Sequence, residues 1–221
     1  MYYALIVAGG EGLRMGSPLP KQFLEVQSYP VLYHTLRAFS KAIPDIHLVL
    51  VLPETHLEYW KELVLKYKIT IPHKIVTGGK TRYQSVKNGL KEVPLNAFVA
   101  IHDGVRPLVS KELIKQSFES CKTQNAVIPV LSLSDSIRLV DNHKSKPLNR
   151  NLYKLVQTPQ CFQSDIIKKA YDQIPFDEAL TDDAMVAEAF GQKIYLIDGE
   201  RHNLKITTPE DLKYVEYVLG N

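Results

Sequence analysis

Leu5-Ile-Val-Ala-Gly-Gly-Glu-Gly-Leu-Arg-Met-Gly16, followed by Pro20-Lys-Gln22, joins an apolar strand to a glycine-rich turn and then to two cations. In that order the pieces form a phosphate cradle. Gly9, Gly10 and Gly12 let the backbone bend and bring bare N–H groups against an anion, and Arg14 and Lys21 neutralise the charge those amides leave uncovered. A nucleoside triphosphate is the implied ligand. The spacing is not G-x-x-x-x-G-K-[ST], and the final glycine of G-x-G-x-x-G is missing, so neither the P-loop nor the dinucleotide fingerprint applies. A glycine-rich turn that serves folding alone stays open at this point, and the rest of the chain decides.

Working outward, short apolar runs at 2–8, 46–52, 74–76, 97–102 and 126–131 are rich in β-branched residues and have no polar face, as expected of strands buried on both sides. Between them Val31, Leu32, Thr35, Leu36 and Phe39 recur at helical spacing, as do Leu57, Trp60 and Val64, and then Val86, Leu90 and Val93. The alternation predicts an α/β fold, a Rossmann-like, mostly parallel sheet flanked by helices. Trp60 and the tyrosines on these segments are expected to pack in the core and at its rim. After Leu131 the rhythm stops. Residues 132–155, with Asp135-Ser-Ile-Arg138, Asp141-Asn-His-Lys144 and Pro147, predict an extended arm that leaves the sheet, within a single domain of residues 1–221. The chain returns through Val156-Gln-Thr-Pro-Gln160, two helical patterns, a strand over 193–197, and a last helix capped by Thr208 with Pro209 at its first position.

The 221 residues carry a net charge of +3 and no lysine or arginine block, which gives no footprint for nucleic acid. Two cysteines, Cys121 and Cys161, suggest neither a disulfide framework nor a metal site and suit a reducing cytoplasm. The apolar start is too short for a signal-peptide core or a membrane span, and a soluble protein is expected.

Ligands of open parallel sheets sit beyond the carboxyl ends of the strands. Four polar segments hold that position: the glycine loop, Thr77-Gly-Gly-Lys-Thr-Arg-Tyr-Gln-Ser-Val86, His102-Asp-Gly-Val-Arg-Pro107 and Arg201-His-Asn-Leu-Lys-Ile-Thr-Thr-Pro209. They are expected to share one cleft. Asp103 is suited to a metal or a sugar hydroxyl, and Arg106 to a phosphate held by two hydrogen bonds. A turn pair between the two that only stabilises the loop is the alternative. Thr181-Asp-Asp183 opens a helical pattern, so that Thr181 could serve as its cap and the two acids as partners of the helix dipole.

The segments Ala8-Gly-Gly-x-Gly-x-Arg-Met15, Pro20-Lys-Gln22, Gly78-Gly-x-x-Arg82-x-x-Ser85-Val, His102 to Pro107, Asn149-Arg-Asn151, Thr158-Pro-Gln160, Thr181-Asp-Asp183 and Asn203 to Asp211 occur in an order that resembles the 2-C-methyl-D-erythritol 4-phosphate cytidylyltransferases, across nearly the whole chain. The resemblance implies an enzyme that transfers CMP from CTP to that polyol phosphate, releases pyrophosphate with Mg²⁺ bound mainly through the CTP phosphates, and serves the non-mevalonate isoprenoid pathway. It implies catalytic roles for Arg14 and Lys21. Ala8, Gly9, Gly10, Gly12, Gly79, Lys80, Ser85 and Gly104 would bind CTP. Asp103, Arg106, Ser136, Arg150, Thr181 and Lys205 would bind the polyol phosphate, with Ser136 and Arg150 reaching a second subunit through the arm of a homodimer. Gly9 stands where the family often has alanine, Lys80 where it often has an acid, and Ser136 where it often has threonine. Lys80 reverses a charge, which leaves its backbone as the better contact. A ribitol 5-phosphate cytidylyltransferase shares several of these motifs and is the nearest alternative, and a catalytically silent nucleotide-binding module is another.

Overall fold

A computed structural model of the chain describes residues 1–9, 19–142 and 144–221. The main sheet begins with β1 (Tyr2–Val7), and β2 (Glu25–Val26) and β3 (Tyr29–Pro30) form a small ribbon that leads into α1 (Val31–Ala42). Then come β4 (His47–Leu52), α2 (Leu57–Lys66), β5 (Lys74–Thr77), α3 (Arg82–Leu90), β6 (Phe98–Asp103), α4 (Lys111–Gln124) and β7 (Ala126–Ser132). The arm carries the hairpin β8 (Ile137–Asp141) and β9 (Lys144–Leu148), followed by β10 (Lys154–Val156) and β11 (Gln160–Gln163). Helices α5 (Ser164–Gln173) and α6 (Asp183–Ala189), strand β12 (Tyr195–Asp198) and helix α7 (Pro209–Gly220) complete the order.

The sheet runs β10-β7-β11-β6-β1-β4-β5, with β12 added alongside β7. Strands β5, β4, β1 and β6 are parallel, whereas β10 and β11 run antiparallel to β7. Alternation along β1 sorts the two faces: Ala4 and Ile6 pack with Leu36, Phe39, Trp60 and Phe118, while Leu5 packs with Val86, Ile167 and Val186. Helices therefore cover both sides, and the runs read as doubly buried strands are largely so in β1, β4, β6 and β7, whereas β5 lies at the sheet edge with Lys74 and Thr77 exposed and Ile75 and Val76 half-buried. Trp60 is fully buried, as its spacing implied.

The antiparallel strands were not expected from sequence. Gln160-Cys-Phe-Gln163 has no alternation, because β11 lies between β6 and β7 and buries Gln160 as well as Phe162. Lys154 pairs with Ser132, yet Cys161 pairs with Val127, a shift of two residues that inserts a bulge at 157–159. That bulge carries Thr158 to the end of β6, where its hydroxyl meets the Asp103 amide. The closing helix follows the sequence closely. Thr208 caps α7 in a capping box with Asp211, and Pro209 opens the helix.

Candidate active site

The parallel order places β1 between β4 and β6, so the chain leaves β1 on one side and later returns on the other. The crevice of such a sheet lies beyond the carboxyl ends of β1 and β6. Val7 is paired with Asp103 at this point, and the Gly104 amide continues the contact by donating to Val7 O at 2.9 Å. A Cβ at Gly104 would lie 2.8 Å from Ala8 Cβ and 3.3 Å from Val7 O, so glycine is what lets the turn lie against β1. Thr35 Oγ1, from buried α1, donates to Gly104 O at 3.0 Å and fixes the peptide from behind.

Three segments named from sequence meet around Asp103. Its Oδ2 accepts from Arg106 Nε at 3.0 Å and lies 3.2 Å from Lys205 Nζ. Arg106 Nη1 donates to Asn203 O at 2.9 Å, and Ile206 N to Val105 O at 3.0 Å, which fastens the 203–207 segment along the turn. Lys21 Nζ donates to Ile206 O at 2.8 Å and so joins the same assembly. The turn pair and the ligand-facing reading of Asp103 are thus not exclusive: Arg106 is engaged on two sides and buried, while Lys205 stays half exposed. Burial pushes the Asp103 carboxyl up, but Lys205, Arg106 and Arg82 together hold it well below the usual carboxylate range. It is an anion at any working pH.

Beneath this turn lies a buried network that the sequence reading did not single out. Thr158 Oγ1 accepts from the Asp103 amide at 3.2 Å and lies 2.9 Å from His102 Nδ1, and His102 Nε2 lies 3.3 Å from Arg106 O. A carbonyl oxygen can only accept, so the neutral imidazole carries its proton on Nε2 toward Arg106 O, and Nδ1 accepts from the Thr158 hydroxyl. Burial, with the Arg106 charge assisting against the pull of Asp103, pushes His102 down to about 3, which keeps the ring neutral. Asn203 Nδ2 donates to Thr158 O at 2.8 Å, and Gln157 Nε2 to Asn203 O at 3.1 Å. Polar residues flanking buried strands were the available signal.

After β5, Thr81 caps α3 and the Gly79-Lys80 loop folds back on that helix. Gly79 N donates to Ser85 Oγ at 3.1 Å, Ser85 Oγ donates to Thr81 O at 2.9 Å, and Lys80 N donates to Gln84 Oε1 at 2.9 Å. Gly79 is required by space, since a Cβ there would lie 2.3 Å from Gln84 Cβ. Ser85 is buried and holds the loop, and the Lys80 side chain is exposed. Ala8 is buried and its carbonyl accepts from Gln22 Nε2 at 3.1 Å. Gly9 is different. Its backbone is not left-handed, and among the described atoms a Cβ there would meet only Pro53 Cγ at 4.0 Å, so this residue is not forced to be glycine and alanine fits the site. Gly10, Gly12 and Arg14 lie outside the described residues.

The family model for 2-C-methyl-D-erythritol 4-phosphate cytidylyltransferase matches residues 2–221. The chain belongs to this family. The cytidylyltransferase of that name from Phocaeicola vulgatus is 46% identical over 217 residues, 98% of this chain and 99% of its own length. The one from Bacteroides fragilis is 49% identical over 216 residues, 98% of each chain. The crystal structure of 4-diphosphocytidyl-2C-methyl-D-erythritol synthase from Anaerococcus prevotii superposes with a TM-score of 0.82 at 30% identity, covering all of this chain and 96% of that one.

Two readings drawn from the residue pattern at 181–183 change in detail. Thr181 does not cap α6; Asp182 does, accepting from Met185 N at 2.9 Å, because its β-region backbone aims the carboxylate at the helix amides. Thr181 is exposed, with its hydroxyl 3.4 Å from Met185 Sδ. Asp183 is not a dipole partner on the surface. It is fully buried and takes Arg82 on both oxygens, at 2.9 and 2.6 Å. In the arm, Arg150 donates to Ser134 O, and among the described residues no hydrogen bond or ion pair ties Ser136 or Arg150 to the cleft of their own chain. Both are exposed.

Proposed function

We infer that the cleft around Asp103 carries out the family's reaction, transfer of CMP from CTP to 2-C-methyl-D-erythritol 4-phosphate with release of pyrophosphate. The observation that carries this reading is the gathering of Lys21, Arg106, Lys205 and Asp103 on the 203–207 segment at the switch point of the sheet. A phosphate oxygen of the polyol phosphate attacks the α-phosphorus of CTP, the new P–O bond forms in line, and pyrophosphate leaves with the electron pair of the broken bond. Two polyanions must meet, so cations have to be fixed in advance. Lys21, held at Ile206 O, is assigned the charge that develops at the α-phosphoryl group, a role the family resemblance gives Arg14 as well. Ala8, Gly9, Gly10, Gly12 and Gly104 bring backbone to the triphosphate, and Gly79, Lys80 and Ser85 hold the cytosine side. Asp103, kept ionised, accepts hydrogen bonds from polyol hydroxyls, while Lys205, Arg106 and Thr181 hold the phosphate end.

Among the described residues no group of three or more His, Cys, Asp or Glu side chains is placed to hold a metal. One carboxylate beside a triphosphate site fits an ion bound mainly by phosphate oxygens and water, with Asp103 the protein group nearest to it in chemistry. Mg²⁺ bound in this way supplies neutralisation of triphosphate charge.

Residues 132–155 act as a dimer arm on an otherwise single domain. Among the described residues the hairpin β8–β9 pairs only with itself, and Leu139, Val140, Leu152 and Leu155 are 48–78% exposed. A two-stranded hairpin is marginal alone, and apolar side chains exposed on it and on the segment after it call for a partner surface. A second copy supplies that surface and receives Ser136 and Arg150 in its cleft. Two buried thiols, with Cys121 pushed up to about 12 by burial, suit a reducing cytoplasm, and no helix among the described residues is long and apolar enough to cross a membrane.

Incubation with CTP, Mg²⁺ and each of two polyol phosphates, following pyrophosphate, tests the reading. Fast release is expected with 2-C-methyl-D-erythritol 4-phosphate and slow release with ribitol 5-phosphate. Equal or reversed rates reject it.

A further inference from the structure

The bond between Arg82 and Asp183 spans 101 positions of sequence and joins two segments that the proposed function assigns to different substrates. Arg82 is the first residue of α3, directly after the Gly79-Lys80-Thr81 loop. Asp183 is the first residue of α6, directly after Thr181-Asp182. The pair is bidentate, and the carboxylate is fully buried beneath an arginine side chain only 29% exposed. Tyr171 Oη, from α5, donates to the same Asp183 Oδ1 at 2.6 Å and leaves the carboxylate a single orientation. The ends of both helices are also knit internally: Gln84 and Ser85 hold the α3 loop, while Asp182 and Gln160 hold the first amides of α6.

We propose that Arg82 and Asp183 are positioning residues that couple the nucleotide loop 79–81 to the polyol phosphate loop at Thr181, so that each substrate is bound better when the other loop is in place. This rests on the assignment of those loops given under Proposed function. Rigid ends joined by one bidentate pair transmit a displacement, because neither helix start can shift without breaking a charge-assisted bond in a desolvated setting. Arg82 also adds to the positive field that keeps Asp103 ionised, which ties the same pair to the centre of the cleft.

The test compares KM for CTP, KM for the polyol phosphate, kcat and melting temperature in the wild-type dimer, Asp183→Asn, Arg82→Lys and Thr181→Val. Coupling predicts a cross effect: Asp183→Asn raises KM for CTP, and Arg82→Lys raises KM for the polyol phosphate, each by about fivefold or more. A role in folding alone lowers the melting temperature and the active fraction, hence the apparent kcat, and leaves both KM values unmoved. Cross effects under twofold in both variants overturn the proposal. Thr181→Val is expected to raise only the KM for the polyol phosphate. If it raises neither, the loop assignment fails and the proposal with it; if it behaves as expected while Asp183→Asn leaves the CTP value unchanged, the coupling alone fails. Should Asp183→Asn not fold, Tyr171→Phe removes one hydrogen bond from the same carboxylate and must raise KM for CTP in the same direction, and an unchanged value overturns the coupling.

Discussion

The cleft and the arm solve opposite problems with similar residue types. Around Asp103, charged and polar groups are buried and nearly every one is spoken for: Arg106 by Asp103 and Asn203, His102 by Thr158 and Arg106, and Lys21 by Ile206. Along 132–155 the polar groups face water, and the apolar ones, Leu139, Val140, Leu152 and Leu155, are exposed as well. The cleft is preorganised by its own chain, which is what stabilising charge in a transition state requires. The arm leaves its apolar side chains exposed, as the proposed role in meeting a second subunit requires. Nearly complete internal satisfaction distinguishes the region proposed to do chemistry, where the Asn203 carboxamide oxygen is the exception, from the exposed arm proposed to meet a partner.

The largest effect that would sharpen this contrast is expected at Lys21. Lys21→Ala removes a cation already in place, so kcat should fall roughly 10²–10³-fold while CTP affinity changes only a few-fold. Steady-state pyrophosphate release and calorimetric titration of CTP separate the two. Unchanged kcat with weakened CTP binding would make Lys21 a ground-state clamp and would remove the argument from preorganisation.

A smaller effect concerns pH. His102 is pushed from an ordinary 6.5 to about 3 in the folded chain. The unfolded state therefore binds a proton that the native state refuses, so the contribution of His102 is complete above about pH 6.5 and is lost as pH falls toward 3, at up to ~1.4 kcal/mol per pH unit. Asp103, also held low, adds a loss of the same sign, starting near the carboxylate range. Burial lowers His34 and His73 too, so the wild-type slope is a sum. Urea unfolding at fixed protein concentration from pH 4.5 to 7 should show stability rising with pH, and His102→Asn should flatten that rise. An equal slope in the variant would show that His102 accepts a proton in the folded cleft.

The same contrast explains what was legible in the sequence. Strands β1, β4 and β6 announced themselves because both their faces are apolar, and α7 because Thr208, Pro209 and Asp211 spell a capping box. Asp103, Lys205 and Lys21 could be named because they follow strands or complete a motif. Strand β11 was hidden: Gln160 is buried by hydrogen bonds to Asp182 and the Ala184 amide, and no hydrophobic pattern records that. Thr158 and His102 were quoted in motifs without a role, since their work is to hold Asp103 from below. The Arg82–Asp183 bond was out of reach because its halves are far apart in sequence and neither half alone differs from an ordinary surface charge.

The smallest expected departure from wild type, a factor of two, decides whether the arm serves its own cleft or its neighbour's. Lys21→Ala and Arg150→Ala chains are made as nearly inactive homodimers, then co-expressed with different tags and purified as the heterodimer. If Arg150 acts across the interface, the cleft on the Arg150→Ala chain keeps its own Lys21 and receives intact Arg150 from the other chain. That cleft works. Its counterpart lacks both cations and stays silent, so the heterodimer should regain up to about half of wild-type activity when the two sites are independent. If Arg150 serves its own chain, each cleft lacks one essential group and nothing is regained. The exposed position of Arg150, with its guanidinium held only within the arm at Ser134 O, favours the first outcome. A heterodimer no more active than its parents would mean that Arg150 serves the cleft of its own chain, and the reading of the arm as a segment that waits for a partner would fail.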